Sequence, residues 1–169
     1  MKWLSFYIHI PFCRQKCGYC DFLSFPETQE NQAAYMKALL WEIEKNRARY
    51  ANYAVKTIFV GGGTPSVISP KLLGEVMDCI FSQYTVDRDA EITIEANPGT
   101  IDREKLTEYK AMGFNRISMG VQAWQDRLLR TLGRIHDQKT FLENYDLVRK
   151  AGFQNINLDF MFSLPEQTL

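Results

Sequence analysis

Residues 6–20 read FYIHIPFCRQKCGYC, and this stretch decides how the chain is expected to fold. Residues 6–10 alternate apolar side chains with Tyr7 and His9, a pattern typical of a strand that buries one face. A CxxxCxxC motif follows at once. Ligating side chains placed directly after a strand are typical of α/β proteins, whose sites lie at the carboxyl ends of their strands. The three cysteines of the motif are Cys13, Cys17 and Cys20.

Outside this stretch the sequence repeats one theme. A short β-branched or aromatic run is followed by a loop with glycine, proline or asparagine, and then by a longer segment with helical periodicity. We expect strands at 6–10, 57–60, 91–96, 116–121 and 156–160, and helices at 29–49, 70–84, 102–112 and 138–151. Strands separated by helices pair in parallel through right-handed crossovers. The predicted fold class is therefore α/β, with a parallel sheet and outer helices.

Several predicted strands carry polar side chains on one face. Glu95, Ser118 and Asp159, for example, each lie between two apolar neighbours. Strands of a parallel sheet are usually buried on both faces and are continuously hydrophobic. An antiparallel sheet with one solvated face is the alternative, although the long helical connections favour parallel pairing. We therefore predict a barrel or curved half-barrel whose polar face lines a ligand-filled lumen.

The composition is that of an ordinary globular protein. Of the 169 residues, 46% are hydrophobic, and 20 Lys and Arg balance 20 Asp and Glu. This balance removes the bulk attraction on which nucleic-acid binding depends. Apolar runs are too short to cross a membrane, and the first residues lack the features of a secretory signal peptide. We expect one domain, residues 1–169, in a cytoplasmic protein with no nucleic-acid partner and no transmembrane segment.

Clustered cysteines in a cytoplasmic protein indicate metal binding or catalysis rather than disulfides. Structural zinc takes four protein ligands, and no fourth cysteine or nearby histidine follows Cys20. An iron–sulfur cubane held by three cysteines instead leaves one iron open to a small molecule. The spacing favours such a cluster, with a zinc-stabilised binding module as the alternative. His9 and His136 are assigned no metal, and Cys79 is predicted to be a small buried apolar residue.

The stretch from Tyr7 to Cys20 resembles the signature of radical S-adenosylmethionine (SAM) proteins. Further matching motifs are 61–66 (GGGTPS), 95–99 (EANPG), 115–122 (NRISMGVQ), 132–136 (LGRIH) and 157–159 (NLD). Together they resemble the branch that contains oxygen-independent coproporphyrinogen III oxidase and the heme chaperone HemW. The resemblance implies a partial (βα)6 half-barrel, similar to a TIM barrel and truncated after about the fifth strand. Residues 1–169 would then be a radical SAM core domain without its last βα elements and C-terminal domain.

The resemblance implies two cofactors in this region. A [4Fe-4S] cluster would be held by the three cysteines, and its open iron would bind the amino and carboxylate groups of SAM. In this family one electron then cleaves the sulfonium to give methionine and a 5′-deoxyadenosyl radical. Arg134 matches the arginine expected to clamp the methionyl carboxylate, a role suited to a planar charged fork. The other implied cofactor-binding residues are Tyr7, Tyr19, Gly63, Thr64, Glu95, Gln122 and Asp159.

The residues after Cys20 discriminate between two functions within this branch. The oxidase carries a further cysteine two positions on, whereas this chain has Asp21 and Phe22, as HemW-like proteins do. The resemblance therefore implies a chaperone that binds heme and delivers it to acceptor proteins, with an electron donor such as flavodoxin or ferredoxin. The alternative is anaerobic oxidation of coproporphyrinogen III in porphyrin biosynthesis. We expect the heme site to lie outside residues 1–169, or only partly within them.

Overall fold

A five-stranded parallel sheet forms the centre of the computed structural model, which describes residues 2–26 and 28–168. The strands are β1 (Lys2–Ile10), β2 (Phe12–Cys13), β3 (Phe25–Pro26), β4 (Tyr53–Gly62), β5 (Thr85–Ala96), β6 (Arg116–Gln122) and β7 (Asn155–Phe160). The main sheet has the order β1-β4-β5-β6-β7, and β2 and β3 form a separate two-stranded ladder. Every strand pair in the described residues is parallel, which excludes the antiparallel alternative.

Helices fill the long connections between the strands of the main sheet. They are α1 (Gln29–Asn46), α2 (Pro70–Gln83), α3 (Arg103–Ala111), α4 (Asp126–Thr131) and α5 (Gln138–Lys150), with short 3-10 helices at Arg47–Tyr50 and Pro65–Val67. Side chains of Thr28, Ser69, Asp102 and Asp137 cap four of the α-helices by accepting a backbone hydrogen bond. Each such cap stabilises its helix by about 1 kcal/mol. No helix in the described part of the chain has both the length and the apolar character needed to cross a membrane.

The apolar face of each central strand packs under the helices. Ile10, Ile58, Ile94 and Ile117 are fully buried in one continuous hydrophobic core. Burial of a side chain of this size contributes about 1.5–3 kcal/mol to folding. These positions belong to the alternation that predicted one buried face per strand. The structure confirms it for β1, β4, β5 and β6, whereas in β7 Phe160 is 54% exposed and no residue is fully buried. The polar residues of the same strands lie on the opposite face.

Several elements differ from the sequence-based expectation. β1 and β4 each begin four residues earlier than expected, at Lys2 and Tyr53, and the ladder of β2 and β3 was not expected. The strand β5 begins well before position 91, because the charged run 87–89 interrupts the pattern where the register with β4 shifts. The helix expected at 29–49 ends at Asn46 and continues as a 3-10 turn. The short helix α4 was not expected, because so few residues show no clear periodicity. Cys79 is only partly buried, in α2, where burial raises the pKa of its thiol.

A second, smaller apolar cluster supports one side of the site. It packs Leu128, Leu129 and Leu132 of α4 and its C-terminal end against Leu164, which follows β7. The chain turns at Gly133, where φ is +71°, a value that favours glycine. The cluster therefore holds the turn at 132–136 close to the end of β7.

Candidate functional site

A cleft of about 430 Å³ opens where the strands of the main sheet end. It is lined by all of the predicted site residues except Tyr7: Cys13, Cys17, Tyr19, Cys20, Gly63, Thr64, Glu95, Gln122, Arg134 and Asp159. These residues come from β2, β5, β6, β7 and the connecting loops. Their convergence agrees with the expectation that a parallel α/β fold places its site at the carboxyl ends of the strands.

The cysteine loop is fixed to the protein at both ends. The short ladder of β2 and β3 pairs Phe12 with Phe25 and Cys13 with Pro26, so the loop leaves and returns at one place. Within the loop, the amide of Gly18 donates to the carbonyl of Leu132 at 3.1 Å. All three motif cysteines are free thiols and partly exposed to the cleft. The loop therefore presents three thiols around one open space.

A glycine turn, residues 61–63 at the end of β4, lies directly against this loop. The amide of Gly63 donates to the carbonyl of Ile10 at 2.7 Å, and Gly62 has φ +116°. A Cβ atom at Gly63 would lie 2.7 Å from the Phe12 carbonyl oxygen and 3.0 Å from Cys13 Sγ. Only glycine fits such a close approach of two backbones. The turn thus sets the position of Cys13.

Three thiols of one short loop are a donor set that suits an iron–sulfur cluster. Within residues 2–26 and 28–168, no three His, Cys, Asp or Glu side chains converge closely enough to hold one ion. A single zinc ion needs ligands that meet at one point, whereas a cubane takes each thiolate at a different corner. The three thiols of the loop face a cleft that also holds Arg134 and Glu95, and a cubane held by three thiolates leaves one iron open to a small molecule.

Glu95 lies under the glycine turn, and its carboxylate is held by backbone. Its Oε2 accepts a hydrogen bond from the amide of Gly62 at 3.0 Å. A Cβ atom at Gly61 would lie 2.8 Å from the same oxygen. Burial raises the pKa of Glu95, and the charge of Asp159 adds to the effect, while the Gly62 amide and His9 oppose it. Glu95 is thus a positioned hydrogen-bond acceptor, and its carboxylate takes up a proton at a higher pH than an exposed glutamate does.

Arg134 reaches the cleft from the turn after α4. Its Nη2 donates to Asn97 Oδ1 and to the carbonyl of Gly120, both at 2.7 Å. Its Nη1 lies farther from its partners, at 3.6 Å from Cys17 Sγ and 3.5 Å from the Tyr19 hydroxyl. The buried Nε has no hydrogen-bond partner among the described residues. The protein therefore holds one edge of the guanidinium and turns Nη1 toward the cysteine loop.

The far side of the cleft is formed by the ends of β6 and β7. Gln122 has φ +69°, in the left-handed region, where the register of the two strands shifts. Backbone strain of this kind at a non-glycine residue clusters at functional sites. Asp159 accepts hydrogen bonds from Ser118 Oγ at 3.2 Å and from Asn157 Nδ2 at 2.7 Å. The side chain of Asp159 is therefore held by two hydrogen bonds, whereas Gln122 is held by its backbone carbonyl, which accepts from the amide of Met161 at 2.8 Å.

Tyr7 and Tyr19 differ in their relation to the cleft. Tyr19 lines it, and burial raises the pKa of its hydroxyl. Tyr7 is 60% exposed and lies outside the lining, where its hydroxyl contacts His9 Nδ1 at 3.1 Å. His9 Nε2 faces the carbonyl of Leu23, an acceptor, so Nε2 carries a hydrogen. Tyr7 therefore orients His9 beneath the glycine turn.

Two residues without a predicted role occupy key places. Asn97 lines the cleft and contacts both Thr64 and Arg134. The sequence indicated the motif at 95–99 but predicted no role for Asn97 itself. His136 is buried, and burial and the nearby Arg134 lower its pKa to about 4. A hydrogen bond with the backbone of Val121 and the charges of Asp137 and Asp126 oppose this shift without reversing it. It is a neutral packing residue behind the arginine at neutral pH.

Comparison with known families agrees with this geometry. The sequence model of the Radical SAM superfamily matches residues 7–169, nearly the whole chain. The chain belongs to the radical SAM superfamily. This membership accounts for the parallel half-barrel and for a cysteine loop at the ends of its strands.

Curated relatives within the radical SAM superfamily are similar over almost all of the chain. The heme chaperone HemW of Escherichia coli strain K12 is 42% identical over 167 residues, which are 98% of this chain and 44% of that protein. The heme chaperone HemW of Bacillus subtilis strain 168 is 43% identical over 166 residues, with the same coverage of 98% and 44%. The chain thus spans less than half the length of these relatives.

Solved structures confirm the fold. Coproporphyrinogen III oxidase (HemN) from Escherichia coli superimposes with a TM-score of 0.92 at 32% identity, over 99% of this chain and 38% of that chain. Elp3 from the archaeon Methanocaldococcus infernus superimposes with a TM-score of 0.59 at 12% identity, a likeness of fold alone. The predicted α/β half-barrel is therefore confirmed.

Proposed function

We propose that this chain holds a [4Fe-4S] cluster on Cys13, Cys17 and Cys20 and binds SAM beside it. The convergence of three thiols, a glycine turn and an oriented arginine in one cleft carries the proposal. The cluster would supply an electron and an open iron to which SAM can bind. The protein supplies the shape, the hydrogen bonds and the charges around them.

The polar groups of the cleft match the functional groups of SAM. Nη1 of Arg134 is the guanidinium nitrogen that faces the cysteine loop, so it would receive the methionyl carboxylate. Glu95, Gln122 and Asp159 offer acceptors for ribose hydroxyls and for the α-ammonium group. Gly63 lets the turn pack closely against Phe12 and Cys13 at the edge of the cleft, and Tyr19 lines the loop side. The hydroxyl of Tyr7 contacts His9, so Tyr7 would influence the site by orienting the His9 ring.

At the level of the whole protein we propose a heme chaperone of the HemW type. Asp21 and Phe22 stand where the oxidase pattern has a further cysteine, and the curated relatives described above are named heme chaperones. The protein would bind heme, at a site outside residues 1–169 or only partly within them, and deliver it to acceptor proteins in the cytoplasm. Flavodoxin or ferredoxin would donate the electron. The likeness to HemN keeps coproporphyrinogen oxidation as the second candidate.

The cluster is tested by substituting one ligand and one control cysteine in the full-length protein. We expect Cys17→Ser to abolish iron uptake during anaerobic reconstitution with iron and sulfide, while the circular dichroism spectrum stays native. Cys79→Ser, in α2 and away from the cleft, should keep the wild-type iron content. If the wild-type protein binds zinc and shows no iron–sulfur absorption after reconstitution, the cluster is refuted and the zinc-stabilised module is supported.

Heme titration and an activity assay separate the two candidate functions. We expect the full-length protein to bind heme stoichiometrically and to leave coproporphyrinogen III unchanged under reducing, anaerobic conditions with SAM. Turnover of coproporphyrinogen III would refute the chaperone and establish the oxidase. A SAM-dependent change in the spectrum of the reduced cluster is expected in either case, because both functions use the same cleft.

A further inference from the structure

A chain of hydrogen bonds connects Cys13 with Cys17 across the floor of the cleft. Thr64 Oγ1 donates to Cys13 Sγ at 3.4 Å, and Asn97 Nδ2 donates to Thr64 Oγ1 at 2.9 Å. Arg134 Nη2 donates to Asn97 Oδ1 at 2.7 Å, while its Nη1 lies 3.6 Å from Cys17 Sγ. Residues from three separate connections thus form one pathway between two predicted cluster ligands.

The chemistry of these groups fixes the direction of each hydrogen bond. A guanidinium group only donates, so the amide oxygen of Asn97 must face Arg134 and the amide nitrogen must face Thr64. The Thr64 hydroxyl therefore accepts from Asn97. Its single hydrogen is left for the sulfur of Cys13.

The surroundings hold Asn97 and Thr64 in this arrangement. Thr64 is only 4% exposed, and the Asn97 carbonyl accepts hydrogen bonds from the amide and the hydroxyl of Thr100. A Cβ atom at Gly120 would lie 2.9 Å from Asn97 Oδ1, so glycine makes room for the amide. The hydroxyl of Thr64 is thus committed to Cys13 rather than offered to the cleft.

We propose that Asn97 is a positioning residue that directs the Thr64 hydrogen onto the Cys13 sulfur and so makes the bound cluster easier to reduce. The inference rests on the proposed cluster. A hydrogen bond to a cysteine sulfur stabilises the more negatively charged, reduced cluster more than the oxidised one. Removing the bond should shift the midpoint potential to a more negative value.

The first test compares Thr64→Val with Thr64→Ser in full-length protein reconstituted anaerobically with iron and sulfide. We expect Thr64→Val, which keeps the shape but lacks the hydroxyl, to have a more negative midpoint potential at unchanged iron content. Thr64→Ser should return the potential to that of the wild type. Its Fe–S(Cys) stretching frequencies in resonance Raman spectra should also match the wild type, whereas those of Thr64→Val should shift.

A matched control comes from another buried threonine. Thr93 in β5 is 1% exposed, and its hydroxyl contacts Glu91 and Arg116 rather than a sulfur. Thr93→Val should therefore leave both the potential and the Raman frequencies unchanged. A shift in this control equal to that of Thr64→Val would overturn the proposal, because loss of any buried hydroxyl would then suffice.

Asn97→Asp tests the direction of the hydrogen bonds. An ionised carboxylate accepts only, so the Thr64 hydrogen would turn away from Cys13 toward residue 97. We expect Asn97→Asp to make the midpoint potential more negative than that of the wild type. When Asn97→Asp is added to Thr64→Val, the further shift should be smaller, because there only the added charge acts on the cluster. Equal shifts in the two backgrounds would overturn the role of Asn97.

The outcomes distinguish this inference from the function on which it rests. Wild-type protein that takes up no iron–sulfur cluster would refute the proposed function itself. A loaded wild type with unchanged potential and Raman spectrum in Thr64→Val would overturn this inference alone. If Thr64→Val loses its iron, the loaded Asn97→Asp protein decides, and a wild-type potential there overturns the inference.

Discussion

The carboxylate of Glu95 is buried beneath the glycine turn, and this burial raises its pKa above the usual range. As pH falls through the raised pKa, Glu95 takes up a proton and loses its ability to accept charge-assisted hydrogen bonds. We predict that SAM affinity is full above this pKa and falls below it. Glu95→Gln should weaken SAM binding roughly tenfold to hundredfold at neutral pH and abolish this pH dependence. Isothermal titration of the loaded protein across pH measures both, and a pH dependence retained in Glu95→Gln would contradict the assignment.

Arg134 is tested by a substitution that keeps its charge. Arg134→Lys removes the planar fork that holds Asn97 on one edge and faces the cysteine loop on the other. We predict SAM binding about tenfold weaker at unchanged iron content, measured by equilibrium binding. Arg116→Lys is the control, because Arg116 lies at the start of β6, where it contacts Glu91 and Thr93. Wild-type SAM affinity in Arg134→Lys would rule out a carboxylate contact.

Single residues also show where prediction from sequence stops. The alternation around Tyr7 and His9 correctly indicated which side chains of β1 avoid the core. It could not reveal that Tyr7 lies outside the cleft lining, because that depends on how the chain bends after the strand. The contact of Asn97 with Arg134 joins residues far apart in sequence, and no local pattern encodes it.

Among the elements, the glycine turn and the cysteine loop depend on each other. We predict that Gly63→Ala destabilises the protein by about 1–3 kcal/mol, because its Cβ would overlap the Phe12 carbonyl and crowd Cys13. Iron uptake should fall as well. Chemical denaturation and iron analysis measure the two effects.

A second glycine provides the control for this prediction. Gly74 lies within α2, and a Cβ there would make an ordinary contact with Met112 at 3.5 Å. Gly74→Ala should stabilise the protein by about 0.5–1 kcal/mol and leave iron uptake unchanged. Equal stability of Gly63→Ala and the wild type would show that the turn can relax away from Cys13.

The elements differ in how well the sequence predicted them. Strands β6 and β7 begin or end within a residue or two of the expected positions, because their apolar and polar residues alternate without interruption. The sequence did not predict the early part of β5 or the helix α4, for two different reasons. Charges at 87–89 interrupt the first pattern, and the second segment is too short to show one.

At the scale of the whole molecule, the sheet has β1 and β7 at its edges and β4, β5 and β6 between them. We predict that, in the isolated 169-residue chain, amides of β7 exchange with solvent faster than those of β4. Within the described residues β7 is paired on one side only, and Phe160, its last residue, is 54% exposed. Hydrogen exchange with mass spectrometry compares the strands, and equal protection of β7 and β4 would contradict this expectation.

The cysteine loop has a consequence for how the protein is made. The loop starts and ends at the β2–β3 ladder, and the hydrophobic core under the main sheet contains none of its three thiols. Packing of the core therefore does not depend on the proposed cluster, and we expect the polypeptide to fold before iron is supplied. If the loop holds the proposed cluster, folding and cluster loading are separate steps, and a cell short of iron would accumulate a folded precursor that can be loaded later without new synthesis.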